Sequence, residues 1–307
     1  MVTSKRHLTK FYLILAFGFL FFISLGFVLI HICLDDSIEK NGAGSILLLL
    51  AILVFIFPFY ILRIYIKNAP RIMLNKHTIS FGKEQYNLDD IKKIELIGKV
   101  PFRLIIDHYM EGVMIVFKNK EVKYIYDDMY ANTWQIKSFL ERTVLKKEQD
   151  VIVKQEKLNI SAIDYQSAIE FKGNQFLSYR GVILWLPIMF FTFQYSKQPN
   201  LVLFLLIVVG VFWFLINSWG MHYFGMTNDF LIVKNHNLLW RNHVYRLSDI
   251  KQVTFESFGE MPNSLRVTKN NYESTLYQAG TLNDKTWLEL KKRLQKHKIK
   301  VINNCIY

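Results

Sequence analysis

Two pairs of long apolar segments alternate with two polar blocks, and this alternation is the strongest constraint on the fold. The apolar segments cover residues 11–32, 46–66, 181–195 and 201–219. A helix needs about 20 apolar residues to cross the hydrocarbon core of a bilayer. The third segment is short and must borrow flanking residues or lie in thinned bilayer. The pattern predicts two transmembrane hairpins, within residues 1–68 and 181–221. For the second pair the alternative is a buried hairpin of a soluble domain, which residues 201–209 disfavour because they have no polar face.

The distribution of charge indicates an orientation. The chain has 38 Lys and Arg against 25 Asp and Glu, a formal net charge of +13, although 51% of its residues are hydrophobic. Basic residues flank the first pair of apolar segments, whereas the loop inside that pair carries Asp35, Asp36 and Glu39. Lys and Arg accumulate in cytoplasmic loops. The sequence therefore predicts a multi-pass protein of the inner membrane with both termini and both polar blocks in the cytoplasm.

The two polar blocks, residues 69–147 and 222–307, carry the same signals in the same order. Leu88-Asp89-Asp90-Ile91-Lys92 aligns with Leu247-Ser248-Asp249-Ile250-Lys251, and Thr133-Trp134 aligns with Thr286-Trp287. Each block shows six or seven short alternating stretches and then one amphipathic helix. We therefore predict a duplicated unit, in which a small β-barrel follows each hairpin and the Trp-bearing helix plugs its open end. Residues 148–180 form a structured connector in this scheme.

Some local predictions can be tested element by element. Short strands are expected at residues 104–106 and at residues 238–240, the latter pairing back across the turn at residues 234–237. Asn132 is predicted to cap the helix that carries Trp134. Trp134 and Trp287 are both predicted to be buried.

The chain resembles the bacterial pleckstrin-homology-like (GRAM-like) domains, which occur in membrane proteins directly after a pair of transmembrane helices. In the first block the resemblance is carried by Leu74-Asn75-Lys76-His77-Thr78-Ile79, by Leu88-Asp89-Asp90-Ile91-Lys92-Lys93-Ile94-Glu95 and by the Trp134 helix. In the second block it is carried by Thr227-Asn228-Asp229-Phe230-Leu231-Ile232, by Leu247-Ser248-Asp249-Ile250-Lys251-Gln252-Val253 and by the Trp287 helix. The resemblance covers about half of the chain and implies an α+β membrane protein. It brings no catalytic set and no cofactor.

Motifs for known chemistry are missing from the sequence. There is no nucleotide-binding glycine pattern, no nucleophile elbow and no metal-binding spacing of Cys or His. His108 and Glu111, with Asp107, are either half of a metal site or part of a solvated loop. Asp127-Asp128 is either a carboxylate pair or a charge favouring a helix N-terminus. We therefore predict no catalytic, cofactor-binding or metal residues. The two cysteines are predicted to lie on opposite sides of the membrane and to form no disulfide.

The clearest functional signal is a basic C-terminal segment. Its charges are Lys291, Lys292, Arg293, Lys296, Lys298 and Lys300, without one acidic residue between them. Two interpretations remain open, a solvated helix face and a surface that meets the anionic headgroups of the inner leaflet. Nucleic acid is not expected as a partner, because the aromatic platform that single strands need is missing.

The sequence thus favours a non-enzymatic membrane protein whose paired modules serve as interaction or scaffolding surfaces. The expected partners are the lipid bilayer, anionic lipid headgroups, a protein of unknown identity and a second copy of the chain. The alternatives are a membrane enzyme with a site between the modules and a channel-like oligomer. Ionisable side chains are nearly absent from the spans, which disfavours a transporter.

Overall fold

The structure is a computed structural model that describes residues 1–34, 44–103, 107–146, 167–197, 201–257 and 262–306. The chain divides into two compact units, Met1–Lys154 and Gln155–Tyr307. Each unit combines a pair of helices with two β-sheets and one further helix, so the α+β class is confirmed.

The first unit begins with a strand that precedes its helical pair. Its elements are β1 (Val2–Thr3), α1 (Ile14–Cys33, after a π-helical turn at Leu8–Leu13), α2 (Gly44–Asn68), β2 (Ile72–Leu74), β3 (Thr78–Phe81), β4 (Glu84–Asn87), β5 (Ile91–Arg103), β6 (Asp107–Phe117), β7 (Val122–Tyr126) and α3 (Thr133–Leu140). One sheet has the order β1-β2-β3-β4 and the other the order β5-β6-β7. The predicted strand at residues 104–106 lies outside the described residues.

The second unit repeats this plan and adds a final strand. Its elements are β8 (Ile169–Phe171), α4 (Tyr179–Lys197), α5 (Leu201–Trp219), β9 (His222–Met226), β10 (Phe230–Asn235), β11 (His243–Arg246), β12 (Ile250–Glu256), β13 (Ser264–Lys269), β14 (Ser274–Gln278), α6 (Asp284–Lys296) and β15 (Lys300–Asn303). The sheets have the orders β11-β10-β9-β8 and β14-β13-β12-β15. β15 runs parallel to β12, whereas the other pairs are antiparallel.

Three predicted boundaries differ from the observed ones. β1 pairs with β2 and β8 pairs with β9, so residues assigned to the first hairpin and to the connector belong to the sheets. The predicted strand at residues 238–240 is wrong, because those residues form a turn and the partner of β10 is β11. Most of the connector lies outside the described residues.

The same turns recur in both units. A 3₁₀ turn, Leu88–Asp90 or Leu247–Asp249, precedes the long strand of the second sheet. Its first amide donates to the carbonyl of His77 in the first unit and of Asp229 in the second, at 2.8 Å in each. Lys120 and Tyr272 occupy equivalent hairpin turns, with φ angles of 67° and 69°. The two blocks therefore share their geometry as well as their sequence signals.

The described strands form no closed barrel. In each unit the 3₁₀ turn separates two sheets, and among the described residues only isolated bridges, Arg6 with Tyr130 and Met221 with Ala279, lie outside their strand ladders. In the second unit α6 packs between them, because Trp287 contacts Phe224 of one sheet and Phe255 of the other, with ring centroids 5.6 Å and 4.9 Å away. Trp287 is fully buried in this core, as predicted.

The prediction that Trp134 is buried is wrong. Trp134 is only half-buried, whereas Ile136 and Leu140 of the same helix are buried. The reason is the phase of the helix relative to its cap. α3 begins directly after Asn132 and α6 directly after Asn283, so the fourth helical residue is Ile136 in one and Trp287 in the other. The Thr-Trp alignment is therefore shifted by two residues, which turns the side chain by about 200° around a helix.

The first helical pair has few contacts with the rest of its unit. Its two helices, Leu8–Cys33 and Gly44–Asn68, are long and apolar enough to cross a membrane, and only 6% and 11% of their most apolar windows are buried inside the protein. A core helix of a soluble domain would be mostly buried. The helices approach closely at Gly26, where a Cβ atom would lie 2.8 Å from the ring of Phe55. In the second pair, the apolar stretch found within α5 is Leu206–Trp219, which is shorter than either helix of the first pair.

Candidate functional site

The predicted basic residues lie on three consecutive elements and not on a free tail. Lys291, Lys292, Arg293 and Lys296 are on α6, Lys298 is in the following turn, and Lys300 begins β15. Lys298 adopts a left-handed conformation, with φ at 60°, which reverses the chain into the sheet. The side chains of Lys292, Lys296, Lys298 and Lys300 are exposed, and those of Lys291 and Arg293 are half-buried.

The amphipathic pattern of α6 explains why these charges share one side. Asn283 caps the helix by accepting a hydrogen bond from the amide of Thr286 at 2.9 Å. Trp287, Leu290 and Leu294 recur at helical spacing and are buried against the sheets. Lys292 and Lys296 lie on the opposite side of the helix and face solvent, whereas Lys291 and Arg293 lie at its half-buried edges. Among the described residues, none of the six basic side chains forms an ion pair with an acidic one.

Strand registers place the basic residues relative to the second helical pair. The root of that pair, defined here as residues 219–222, contacts the end of β14, because the amide of Gly280 donates to the carbonyl of Gly220 at 2.9 Å. Lys300 of β15 pairs with Gln252 of β12. Across the next two strands, Gln252 pairs with Thr268 of β13, and Thr268 pairs with Ser274 of β14. Ser274 is four residues from Gln278 at the root end, or about 13 Å along a strand. Lys300 thus lies at the opposite end of this sheet from the root.

The root itself holds a cluster of polar and aromatic side chains that the sequence did not predict. His222 is buried, and its Nδ1 lies 3.0 Å from the carbonyl oxygen of Gln278. The guanidinium carbon of Arg241 lies 3.3 Å from the ring centroid of Trp219. Tyr245 and Tyr277 share a hydrogen bond of 2.5 Å between their hydroxyl oxygens. Arg180 and His222 lie at the two ends of the second apolar pair and could have indicated this cluster in the sequence. Such residues also occur as simple anchors at a membrane interface, so they did not predict it.

Burial controls the ionisation of this cluster. Burial lowers the pKa of His222 to about 4, and the nearby positive charge of Arg241 acts in the same direction. Burial also lowers the pKa of His243 and raises the pKa of the Tyr277 hydroxyl. Both histidines are therefore neutral at pH 7. Since the Gln278 carbonyl can only accept, His222 carries its proton on Nδ1 and leaves Nε2 as a bare acceptor.

The acidic residues singled out in the sequence have structural partners. Asp127 and Asp128 lie well before the start of α3 and do not act on its N-terminus. Asp127 pairs with Lys137 at 2.7 Å, and Asp128 pairs with Lys10 at 2.6 Å. Glu111 is on β6, where its carboxylate lies 3.9 Å from Lys99, so the solvated-loop interpretation is wrong. In the part of the chain that the structure describes, no group of three His, Cys, Asp or Glu side chains could hold a metal ion.

Clefts lie beside both helical pairs in the part of the chain that the structure describes. The grooves beside α1–α2 and α4–α5 have volumes of about 650 Å³ and 450 Å³ and almost entirely apolar walls. A more polar cleft of about 350 Å³ lies where α2 ends, and Lys67, Lys83 and Lys123 contribute to its wall. Lys123 is already engaged with Glu84 and Glu121, at 2.5 Å and 2.8 Å.

Comparison with known proteins does not identify a family for this chain. The chain matches no protein-family model and no curated protein sequence.

Proposed function

We propose that this chain is a non-enzymatic, multi-pass protein of the bacterial inner membrane, in which two pleckstrin-homology-like modules provide interaction surfaces beside the bilayer. Each module is attached to its own helical pair, and both termini are cytoplasmic. The two modules are proposed to derive from one duplicated unit.

The observation that carries the proposal is the uncovered apolar surface of the helical pairs. Phe17, Phe21 and Phe59 of the first pair are more than half exposed. The same is true of Met189, Phe190 and Phe212 in the second pair. Exposed apolar surface of this extent is unfavourable in water by roughly 25 cal/mol per Å² and is stable in lipid. Lys5, Arg6 and Arg180 next to the helix starts favour a cytoplasmic position for the modules.

The repeated order of elements supports the assignment of the modules. In each unit a strand precedes the helical pair, a 3₁₀ turn links two sheets, and a helix follows the last hairpin. The pleckstrin-homology-like domain was expected as a small barrel plugged by its C-terminal helix, and the second unit supports the position of that helix, although its described strands form no closed barrel. Such folds present loops and edges to partners, so a binding function fits the geometry better than a reaction.

Membrane topology is the direct test. We expect the full-length protein to stay in the membrane fraction after carbonate extraction. Reporter fusions after Lys10, Leu145 and Tyr307 should report the cytoplasm, and a fusion at Glu39 should report the exterior. An external signal at Leu145, or release by carbonate, would contradict the proposal.

The basic residues of α6 and β15 are proposed to contact an acidic partner. Lys300 lies at the sheet end opposite the root, and this position favours a protein that approaches from solution over the leaflet that holds α4 and α5, because exposed charges are screened beyond about 8 Å at physiological salt. The helix keeps its apolar stripe inside the module, so only its basic side can meet the partner.

A charge-neutral variant tests this surface. The full-length protein in neutral nanodiscs should bind a poly-glutamate peptide with an affinity that falls as salt rises. Changing Lys292, Lys296 and Lys298 to Gln should weaken this binding, whereas the same change at three exposed lysines of the first unit should not: Lys83, Lys92 and Lys120. Binding to added phosphatidylglycerol vesicles but not to poly-glutamate would identify the leaflet as the partner instead.

A further inference from the structure

Two arginine side chains at the root of the second helical pair have buried N–H groups without an acceptor. Arg180 is the second residue of α4, and its Nε is buried and makes no hydrogen bond. The Nη1 of Arg241 is buried and unbonded in the same way. Among the described residues neither guanidinium forms an ion pair. A buried donor of a charged group that lacks an acceptor is costly, by more than about 1–3 kcal/mol, so an anionic acceptor would be stabilising.

The two guanidinium groups lie against adjacent residues of the chain, one at Trp219 and the other at Gly220. Arg241 stacks on Trp219, and the Nη2 of Arg180 would lie 3.5 Å from a Cβ atom at Gly220. Since residue 220 is glycine, Arg180 can approach the backbone there. The two cations therefore flank one turn, at the point where the apolar helix α5 ends.

The carbonyl groups at the end of α5 do not accept hydrogen bonds from the unbonded N–H groups of the two arginines. The carbonyl of Ser218 accepts from the amide of Met221 and from Asn235, at 3.1 Å and 2.8 Å. The carbonyl of Asn217 accepts from Gly220. The last carbonyl groups of the helix therefore have other donors as partners. Attraction to the negative end of the helix dipole would still leave the arginine N–H groups without a hydrogen bond.

The first unit contains the satisfied counterpart of Arg180. Arg6 precedes the first helical pair, and its Nε and Nη2 both donate to the carbonyl of Ala69, directly after α2, at 3.1 Å and 2.8 Å. The equivalent place in the second unit is Gly220, whose carbonyl already accepts from Gly280. Arg6 thus has a structural role, whereas Arg180 keeps a donor available for a ligand.

The remaining groups around Arg241 do not neutralise it. His222 and His243 interact electrostatically with Arg241, and both are kept neutral by burial, which lowers the pKa of each. The Tyr277 hydroxyl also faces it. The carboxylate of Glu273, whose charge acts on Tyr245, pairs with Lys269 at 2.8 Å. Arg180 and Arg241 therefore keep their positive charges at the root, where the unbonded Nε2 of His222 is an uncharged acceptor.

We propose that the root binds a phosphate-bearing anion, with Arg180 and Arg241 donating hydrogen bonds to its oxygens. Arginine is well suited to this task, because its planar N–H fork matches phosphate geometry. Trp219, with 56% of its side chain exposed, marks the depth of a membrane interface, where phospholipid headgroups lie. Free phosphate has the same chemistry. This inference rests on the proposed membrane location when the anion is a lipid, and it is independent of that location when the anion is soluble.

Binding to the full-length protein in a neutral detergent tests the site. The probes are a short-chain phosphatidylglycerol, inorganic phosphate and a short-chain diacylglycerol without phosphate, titrated by calorimetry. We expect a phosphate-bearing probe to bind and the diacylglycerol to bind at least tenfold more weakly. Arg180→Gln and Arg241→Gln should each weaken binding by about tenfold or more, as expected for loss of a charge-assisted hydrogen bond. Arg180→Lys should recover only part of the affinity.

The control is Arg6→Gln, which removes the same charge from the other unit and should leave binding unchanged. Binding of inorganic phosphate alone would identify a soluble source, and binding of phosphatidylglycerol without phosphate binding would identify a lipid source. No binding of either probe, unchanged affinity in both arginine variants, or equal loss in Arg6→Gln would overturn the proposal. Carbonate extraction of the same variants reports separately on the membrane location.

Discussion

Replacing Trp287 by Ala should unfold the second unit and leave the first intact. Trp287 is fully buried and touches an aromatic ring in each sheet of its unit, Phe224 and Phe255. Backbone pairing joins the two sheets only near the root among the described residues, at the isolated bridge between Met221 and Ala279. The indole fills the space between the sheets away from that bridge, and removing it opens a cavity there.

The expected cost follows from the buried area. A large aromatic side chain buries about 150–250 Å², and at about 25 cal/mol per Å² this corresponds to roughly 4–6 kcal/mol. Measured truncations of buried aromatic residues to Ala cost about 3–5 kcal/mol. Domains of this size have stabilities of about 5–15 kcal/mol, so the change removes a large share of the stability of the unit.

Limited proteolysis and thermal unfolding of the detergent-solubilised protein measure this effect. Trp287→Ala should make the second unit protease-sensitive and lower its unfolding temperature. Trp287→Phe should cost less, because it keeps most of the volume and removes the buried indole N–H, which has no acceptor among the described residues. Trp134→Ala is the matched control in the first unit, where the side chain is only half-buried.

Protease resistance of the second unit in Trp287→Ala equal to that of the wild type would refute this prediction. Equal destabilisation by Trp134→Ala and Trp287→Ala would also refute it, since the helix phase would then have no effect on burial.

Three further outcomes follow from particular contacts. Because burial lowers the pKa of His222 to about 4, the unfolded chain takes up a proton between about pH 6.5 and 4 that the folded unit does not. The stability of the second unit should therefore be complete above about pH 6.5 and should fall by up to about 3 kcal/mol towards pH 4, and His222→Gln should flatten this dependence in thermal unfolding. Asp127→Ala should destabilise the first unit by about 3–5 kcal/mol in urea unfolding, because it leaves the buried Lys137 ammonium unpaired; adding Lys137→Met should restore much of the loss. Gly26→Val should lower the unfolding temperature of the first unit, since the facing aromatic ring has no room for a Cβ, whereas Gly18→Val, where the structure leaves open space, should be neutral.

Local patterns in the sequence were sufficient for most of the elements. The long apolar segments predicted four helices, and helices occupy all four places. The short alternating stretches of the two blocks form strands, among them β3, β7 and β12, and the aligned segments Leu88–Asp90 and Leu247–Asp249 form the same turn. These features depend on neighbouring residues, so the spacing of apolar side chains and the turn residues contain the necessary information.

Other features depend on contacts between distant parts of the chain. The pairing of β1 with β2 joins residues that are separated by the whole first helical pair, and β15 enters its sheet in parallel beside β12. Asn132 stands at the predicted cap position, but its side chain accepts from the amide of Lys5 and donates to the carbonyl of Thr3. Short segments without a long apolar pattern give no indication of such partners.

The sequence by itself determined the succession of apolar helices and polar modules, because hydrophobic periodicity acts over a few residues. Only the tertiary structure decided which tryptophan is buried, since the helix cap sets the phase and the alignment of letters does not. It also decided that Arg6 is satisfied while Arg180 and Arg241 are left with unbonded donors. Whether a charged group finds an acceptor depends on backbone carbonyls brought near by folding, and no spacing within the sequence specifies them.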